Sequence, residues 1–564
     1  MKQTSNDNAA NRTSYVGEVY SVGEKKVKSA VLDELPPEWA ALHRDGYIHI
    51  HDLDAYGKTY NCLTFDFLRE FPYRQFDGLT DTAKIIRLFG YIKTLFADMG
   101  NEQSGGMAFA NFDNDIAAVY KNLGVQDNAQ NREITAACIA DLILWCNNTH
   151  TRMGQTSYYV TLNIGLANSE FARFIAYSVI DEFEKLGAIV FKPNIVFKVA
   201  QGVNRFETDN NFDLFQKALL CTAKKMIPTY LLCDCSQDKE VSPEKLSVMG
   251  CRTRVVADMF GEQTAIGRGN IANVSINLPR LALEINRDFS NETADEKIER
   301  LKRKWTKIAD IVTEILIDRY NKVCSHDCSD FPVNCKRQMW CVNVQNMQDV
   351  FKHGTLSIGF IGLSETIELI TEKRFYADNQ TYTLALDFVK FMRDYCDGQC
   401  KKQNLNFSLL ATSGELISGR FIEIDKSLFS CGANILEKGF YTNSFHVNVD
   451  SGISAREKLK KEGPFHALSN GGSISYIELN EAPIGNDEGL RELVEEGISA
   501  GVRYLGINFP LDSCNGCNIS GVFDICPVCG SNDVTHIRRV SGYLEILDGF
   551  TNGKKNEAKT RTSN

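Results

Sequence analysis

The sequence predicts one large α/β domain closed off by a small cysteine-rich appendage. Three observations carry that prediction. Strand-like and helix-like segments alternate over roughly 450 residues with no proline-rich or low-complexity linker and no repeat. The 564 residues, 43% of them hydrophobic, exceed the ~250 to 300 at which one core usually stops growing, so appendages are expected on a large fold. The last sixty or so residues carry Cys514-Asn-Gly-Cys517 and Cys526-Pro-Val-Cys529, a break in composition that begins near residue 506.

Residues 1–45 start polar and reach Leu35-Pro-Pro-Glu-Trp39, a turn-like lead into Gly46-Tyr-Ile-His-Ile-His-Asp-Leu53. There Ile48 and Ile50 alternate with His49 and His51, a strand period that puts both imidazoles on one face, as in a half-exposed strand. From about 80 to 150 the period is helical, through Ile85, Leu88, Phe89 and Ile92 and then Ile134, Ile139 and Leu142, with the glycine-rich stretch Gln103–Asp113 between. These two helices form a hairpin or meet a partner subunit. Ser157–Ile164 and Val274–Leu278 alternate as strands, and the apolar run Leu356–Leu363 reads as a strand buried on both faces. Thr293-Ala-Asp-Glu296 has the spacing of a capping box, and Ile298, Leu301, Trp305, Ile308, Val312, Ile315 and Leu316 make one stripe of a long helix behind it. The chain therefore divides into an extension, 1–45, a main domain, 46–505, and a tail, 506–564.

Net charge is -10, and basic residues gather only mildly, at Lys554, Lys555, Lys559 and Arg561, so neither nucleic acid nor an anionic membrane surface is an expected partner. The N-terminus is polar, and no run of about 18 apolar residues occurs, which makes the cytoplasm the expected location. Eighteen cysteines in such a chain point to reduced thiols and to metal or redox chemistry rather than to disulfides.

Cys514, Cys517, Cys526 and Cys529 form two knuckles whose thiolates can close a tetrahedron at about 2.3 Å from a zinc ion, with an iron-sulfur site as the alternative. Four sulfurs leave no open position, so the metal is expected to be structural. Downstream lies Arg538-Arg-Val-Ser-Gly542-Tyr-Leu544, a strand-like segment with a central glycine. A glycine there marks a bulge, or a backbone that must approach another residue closely.

That segment, with Asn552–Glu557 and Arg561 behind it, resembles the C-terminal radical loop of the glycyl radical enzymes. Over nearly the whole chain the sequence is similar to the anaerobic, class III ribonucleoside-triphosphate reductases. The matching segments are Gly46–Leu53, Asn61-Cys62-Leu63, Met249-Gly-Cys251-Arg252, Gly267-Arg-Gly-Asn270 with Asn277-Leu-Pro-Arg280, Gly359–Glu365, Tyr441-Thr-Asn-Ser444 and the C-terminal motifs.

The resemblance implies a ten-stranded α/β barrel with a C-terminal zinc ribbon, and a glycyl radical on Gly542 beside a thiyl-forming Cys251. It further implies Cys62 as second hydrogen donor, Glu365 as the acid/base at the ribose 3′-hydroxyl, and Asn61, Thr442, Asn443 and Ser444 as substrate-binding residues. Glu365 would close the apolar strand Leu356–Leu363, where an unpaired carboxylate is costly to bury. The implied activity is reduction of ribonucleoside triphosphates to deoxyribonucleoside triphosphates. Cys62 with Glu365 resembles the formate-using branch. Ser541, where many relatives have cysteine, and the lack of methionine in Asp533–Ile537 depart from it and leave a redoxin-dependent version open. The other thiols, Cys324, Cys328, Cys335, Cys341, Cys396 and Cys400, read as scattered core or surface cysteines.

The implied partners are a separate S-adenosylmethionine/iron-sulfur activase that installs the radical, dNTP or ATP effectors, and a second copy in a homodimer. The stretch Gln103–Asp113 and the helices beside it, about 80–150, are the candidate dimer and effector region. With only about 45 residues ahead of the first barrel motif, an N-terminal nucleotide-binding cone is not expected. Two competing readings are an acyltransferase or dehydratase of the pyruvate formate-lyase type and a non-catalytic zinc-ribbon protein. The first is disfavoured by the ribbon and by Gly250-Cys251-Arg252, where those acyltransferases have adjacent cysteines; the second predicts a basic tail.

Overall fold

The apolar runs assemble into an eleven-stranded sheet. Its strands are β1 (Ile48–Ile50), β2 (Cys62–Phe65), β3 (Met107–Phe109), β4 (Val160–Ile164), β5 (Asn194–Val199), β6 (Thr229–Leu232), β7 (Arg268–Asn277), β8 (Thr355–Ile361), β9 (Asn406–Ala411), β10 (Ser475–Glu478) and β11 (Tyr504–Asn508). The computed structural model describes residues 15–149, 158–338, 346–539 and 541–564; the polar stretch 1–14, Ser157, Cys341 and Val540 lie outside the described residues.

Ten strands lie side by side in the order β10-β11-β6-β5-β4-β3-β2-β7-β8-β9, and β1 pairs with β7 off that path. Strands β2 to β6 are mutually parallel. So are β7 to β9, and β10 with β11. The first group meets the other two antiparallel, where β2 joins β7 and where β6 joins β11. Between β9 and β10 no ladder forms. A parallel bridge between Leu410 and Gly472 brings the ends of the path together, with Gly471 N–H donating to Leu409 O at 2.9 Å and Ala411 N–H to Gly472 O at 3.1 Å. The expected ten-stranded arrangement is present, with a seam held by a few bonds.

Parallel strands need crossovers, and the covering helices leave both strand faces dry. All seven residues of β8 are accordingly buried. The helix Ala294–Cys324 covers β7 and β8; its capping box is formed by Thr293 and Glu296, and the stripe from Ile298 to Leu316 is buried. Helices Asp81–Glu102 and Ala129–Asn148 pack on each other as a pair, each started by a side-chain cap, from Thr80 and Asn128. Such caps contribute about 1 kcal/mol each. No helix among the described residues is long and apolar enough to cross a membrane.

Five expectations change. Glu365 does not close a strand: β8 stops at Ile361, Gly362 turns with φ +75°, and Glu365 lies in the first turn of the helix Leu363–Thr371. Gly542 is not within a strand either, but in the turn between β14 (Val534–Arg539) and β15 (Leu544–Ile546) of a second sheet, ordered β13-β12-β14-β15 with β12 (Leu511–Cys514) and β13 (Ser520–Gly521). Gln103–Asp113 is more than a glycine-rich link between two helices, because it contains β3, paired on both sides inside the large sheet. The strand bearing His49 is buried rather than half-exposed, and the His49 and His51 rings meet edge to face at 4.7 Å. Position 506 falls inside β11, so the ribbon starts after Asn508.

Candidate active site

The segment between β6 and β7 carries Met249-Gly-Cys251-Arg252 across the interior. A tight return sets Met249 against Thr253, and Thr253 bridges Gly472 at the seam. Gly250 takes φ +62° at the tip, and it faces Gly106 so closely that a Cβ on residue 106 would lie 2.8 Å from its Cα. Only glycines meet this way without displacing backbone. Barrel-wall side chains anchor the segment. Asn163 on β4 clamps Val248 from both sides, donating to its carbonyl at 3.0 Å and accepting from its N–H at 3.1 Å. Asn111 donates to Glu244 O at 2.9 Å, and the buried Lys198 ammonium reaches Pro243 O at 3.2 Å and Asn111 Oδ1 at 2.8 Å. Burial lowers Lys198 to about 8.

Cys62 opens β2. Its thiol donates to Asn61 Oδ1 at 2.9 Å, and its sulfur accepts from Gly106 N–H at 3.1 Å. Burial pushes this thiol well up. Cys251 is half-buried with Sγ 3.3 Å from Ser413 Oγ; its thiol is raised by burial and then by the Glu415 carboxylate. Both shifts favour the protonated thiol, the form that can give up a hydrogen atom. Asn61, Cys62 and Cys251 line one cavity, together with His51, Asp52, Tyr159 and Asn273, which the sequence did not single out as site residues. The Tyr159 hydroxyl is buried without a hydrogen-bond partner.

The β14–β15 turn enters from the ribbon side. Arg252, 1% exposed, donates to Ser541 O at 3.3 Å. Gly542 takes φ +113°, and a Cβ there would lie 2.6 Å from Cys251 Cβ and 2.6 Å from Cys251 O. The Tyr543 ring stands 5.6 Å from that of Tyr159. Buried Arg539 donates to Met226 O at 2.6 Å, and Arg561 reaches back to Arg539 O at 2.6 Å and Glu478 at 3.1 Å.

Glu365, Thr442, Asn443 and Ser444 form an adjoining buried network and do not line the cavity of the thiols. Glu365 Oε1 accepts from the Thr442 N–H and hydroxyl and from Asn448 Nδ2, while Oε2 is unpartnered; burial raises this carboxyl. Ser444, with φ +41°, keeps an unpartnered buried hydroxyl. Asn443 faces the C-terminal helix Asn552–Thr560, donating to Glu557 at 3.3 Å and accepting from Lys554 at 3.3 Å. Ser413 and Gly414 join the two groups, one at Cys251 Sγ and the other donating to Asn443 Oδ1.

In the ribbon the ligand atoms of Cys514, Cys517, Cys526 and Cys529 all lie within 4.8 Å of one another. The pairs Cys514–Cys529 and Cys517–Cys526 are 3.5 Å apart at sulfur, close to the ~3.8 Å edge of a tetrahedron with 2.3 Å metal–sulfur bonds. Backbone N–H groups point at the sulfurs, from Gly516 to Cys514 at 3.4 Å and from Cys529 to Cys526 at 3.5 Å. The latter draws the Cys526 thiol down to about 6. The set fits a four-sulfur zinc ion. Cys328 and Cys335 are near neighbours elsewhere, and all thiols among the described residues are free.

Fold and geometry together describe a large mixed-sheet α/β protein whose interior brings two thiols and a glycine together. The profile of the family described as anaerobic ribonucleoside-triphosphate reductase matches residues 7–563, and the chain belongs to that family. It is similar to the "Anaerobic ribonucleoside-triphosphate reductase" of Escherichia coli (strain K12), 29% identical over 574 residues, covering 93% of this chain and 78% of that one. The enzyme of the same name from Enterobacteria phage T4 is 27% identical over 565 residues, covering 92% and 90%. Among solved structures, an "Anaerobic ribonucleotide reductase" superposes with a TM-score of 0.75 at 13% identity, covering 98% of this chain and 90% of that one. The Thermotoga maritima enzyme in complex with dATP and CTP gives 0.72 at 14% identity, covering 97% and 92%. At such identities the superpositions speak for the fold.

Proposed function

We propose that this chain reduces ribonucleoside triphosphates through a radical held on Gly542 and passed to Cys251. The observation that carries the reading is the contact between Gly542 and Cys251, which admits no side chain on residue 542. A hydrogen on the Cys251 sulfur passes to the Gly542 Cα radical, leaving a thiyl. The thiyl takes hydrogen from the ribose C3′, the 2′-hydroxyl leaves as water, and Cys62 returns hydrogen toward C2′. Glu365, a buried carboxyl with one free oxygen, is the acid/base for the 3′-hydroxyl; Asn61, Thr442, Asn443 and Ser444 are the substrate-side polar groups. A substrate that joins the two groups must reach past Ser413 and Gly414.

With formate as electron donor the reaction balances as ribonucleotide, formate and a proton giving deoxyribonucleotide, carbon dioxide and water. A redoxin dithiol would supply the same two electrons. The solved complex of a relative with CTP and dATP supports CTP as a substrate and a deoxynucleotide as an effector. The radical is installed by a separate S-adenosylmethionine/iron-sulfur activase, which must act with the β14–β15 turn swung out of the barrel, because Gly542 is otherwise enclosed. Zinc, held by Cys514, Cys517, Cys526 and Cys529, would crosslink the ribbon that carries this turn. Extension, barrel and ribbon then act as arm, reaction vessel and radical carrier, in a cytoplasmic homodimer.

The test is anaerobic activation of the full chain with a radical activase, followed by CTP with formate or with reduced thioredoxin. Formation of dCTP is expected, and the donor that supports it identifies the branch. A stable glycyl radical that yields no deoxynucleotide with either donor would overturn the reading.

A further inference from the structure

We propose that Asp52 is a positioning residue that fixes which end of the Asn61 amide faces Cys62, so that Cys62 is held as a hydrogen-bearing thiol. The proposal rests on the radical reading for its consequence in turnover, but not for its geometry. Asp52 stands in the cavity wall between β1 and the turn Leu53–Ala55, in a left-handed backbone conformation with φ 50° and ψ 50°. Its Oδ2 accepts from Asn61 Nδ2 at 2.7 Å and from Ser104 Oγ at 3.0 Å. The Asp52 oxygen accepts from the amide nitrogen, so the Asn61 amide turns its nitrogen to Asp52 and its oxygen away.

That oxygen is the atom 2.9 Å from Cys62 Sγ. It also only accepts, so the hydrogen between them belongs to the thiol. Gly106 N–H fills the sulfur's other side at 3.1 Å. Behind Asp52, the Arg319 guanidinium is 1% exposed and donates to His51 O at 2.7 Å; the Asp52 charge is the first of those that offset its burial. Asn61 is itself fixed through the main chain, donating to Asn270 O at 3.0 Å and accepting from Gly105 N–H at 2.8 Å, which leaves rotation of the amide as its main freedom. The remaining charged or titratable neighbours of Cys62 are Cys251 and Glu415.

Asp52→Asn keeps the shape but can donate as well as accept, so Asn61 is free to turn its NH2 toward the sulfur and favour the thiolate. In the unactivated, full-length protein under anaerobic conditions, iodoacetamide alkylation of Cys62, followed by mass spectrometry at fixed pH, is expected to speed up by about tenfold, the equivalent of one pKa unit. After activation the glycyl radical signal is expected at wild-type strength while dCTP formation falls about tenfold or more. Asp52→Glu, which still only accepts, is expected to keep alkylation slow and restore much of the turnover, which a merely structural role would not require. Asp52→Ser repeats the comparison if Asp52→Asn does not accumulate folded. Unchanged alkylation in Asp52→Asn, or equal losses of turnover in Asp52→Asn and Asp52→Glu, would overturn the proposal. A wild type that makes no dCTP would count against the radical reading alone, because the alkylation comparison needs no turnover.

Discussion

Gly542 rests on Cys251 with no room for a Cβ between them: one added to residue 542 would lie 2.6 Å from both Cys251 Cβ and Cys251 O. Gly542→Ala must relieve that overlap at φ +113°, where L side chains are strained, at a cost of about 2 to 5 kcal/mol from overpacking and backbone strain together. The turn is expected to leave the barrel. Limited proteolysis should cut the segment between Arg539 and Leu544 in the variant at temperatures where the wild type resists.

Asn163→Ala removes the clamp on Val248 and leaves its buried N–H without a partner, while the carbonyl keeps only the Ser247 hydroxyl at 3.4 Å. At about 1 to 3 kcal/mol for an unsatisfied buried group, a loss of that size is expected in urea unfolding. Turnover should fall further than stability explains, since Val248 lies three residues ahead of Cys251.

Lys198 gives a pH signature. Burial depresses its pKa from 10.5 to about 8, so between those values the unfolded chain binds more protons than the folded one and stability rises with pH. Its contribution is complete above the unfolded value and is lost as pH falls to about 8. The difference in thermal midpoint between Lys198→Met and wild type should therefore shift in the variant's favour from about pH 10.5 down to about pH 8, and level off below that. A difference that stays flat over the same range would show that Lys198 is not desolvated.

Removing the ribbon metal with a chelator, or replacing Cys517 with serine, should unfold β12 to β15 while the barrel stays intact. Calorimetry is expected to show the main transition in place and a small early one lost. Metal analysis should return one zinc per wild-type chain and less in Cys517→Ser.

Local chemistry made part of this architecture legible. The helix Ala294–Cys324 was announced by Thr293 and Glu296 and by its apolar stripe, and the ribbon by knuckle spacing alone. Other parts were hidden for physical reasons. Strand β3 is three residues long and follows Gly105-Gly106, so it reads as a bend until its neighbours supply the ladder. Glu365 was given to a strand because the apolar run continues past Ile361, although Gly362 turns the chain into a helix there. Asp52, Tyr159 and Asn273 carry no local pattern that separates them from other polar positions. They face the thiols only because strands distant in sequence close around one cavity.

The radical relay from Gly542 to Cys251 is tested most directly by electron paramagnetic resonance and product analysis on the same activated samples of wild type, Gly542→Ala and Cys251→Ala. The account predicts a glycyl doublet in wild type and in Cys251→Ala, none in Gly542→Ala, and dCTP from the wild type alone. Deoxynucleotide from Cys251→Ala, or an undiminished doublet in Gly542→Ala, would contradict it.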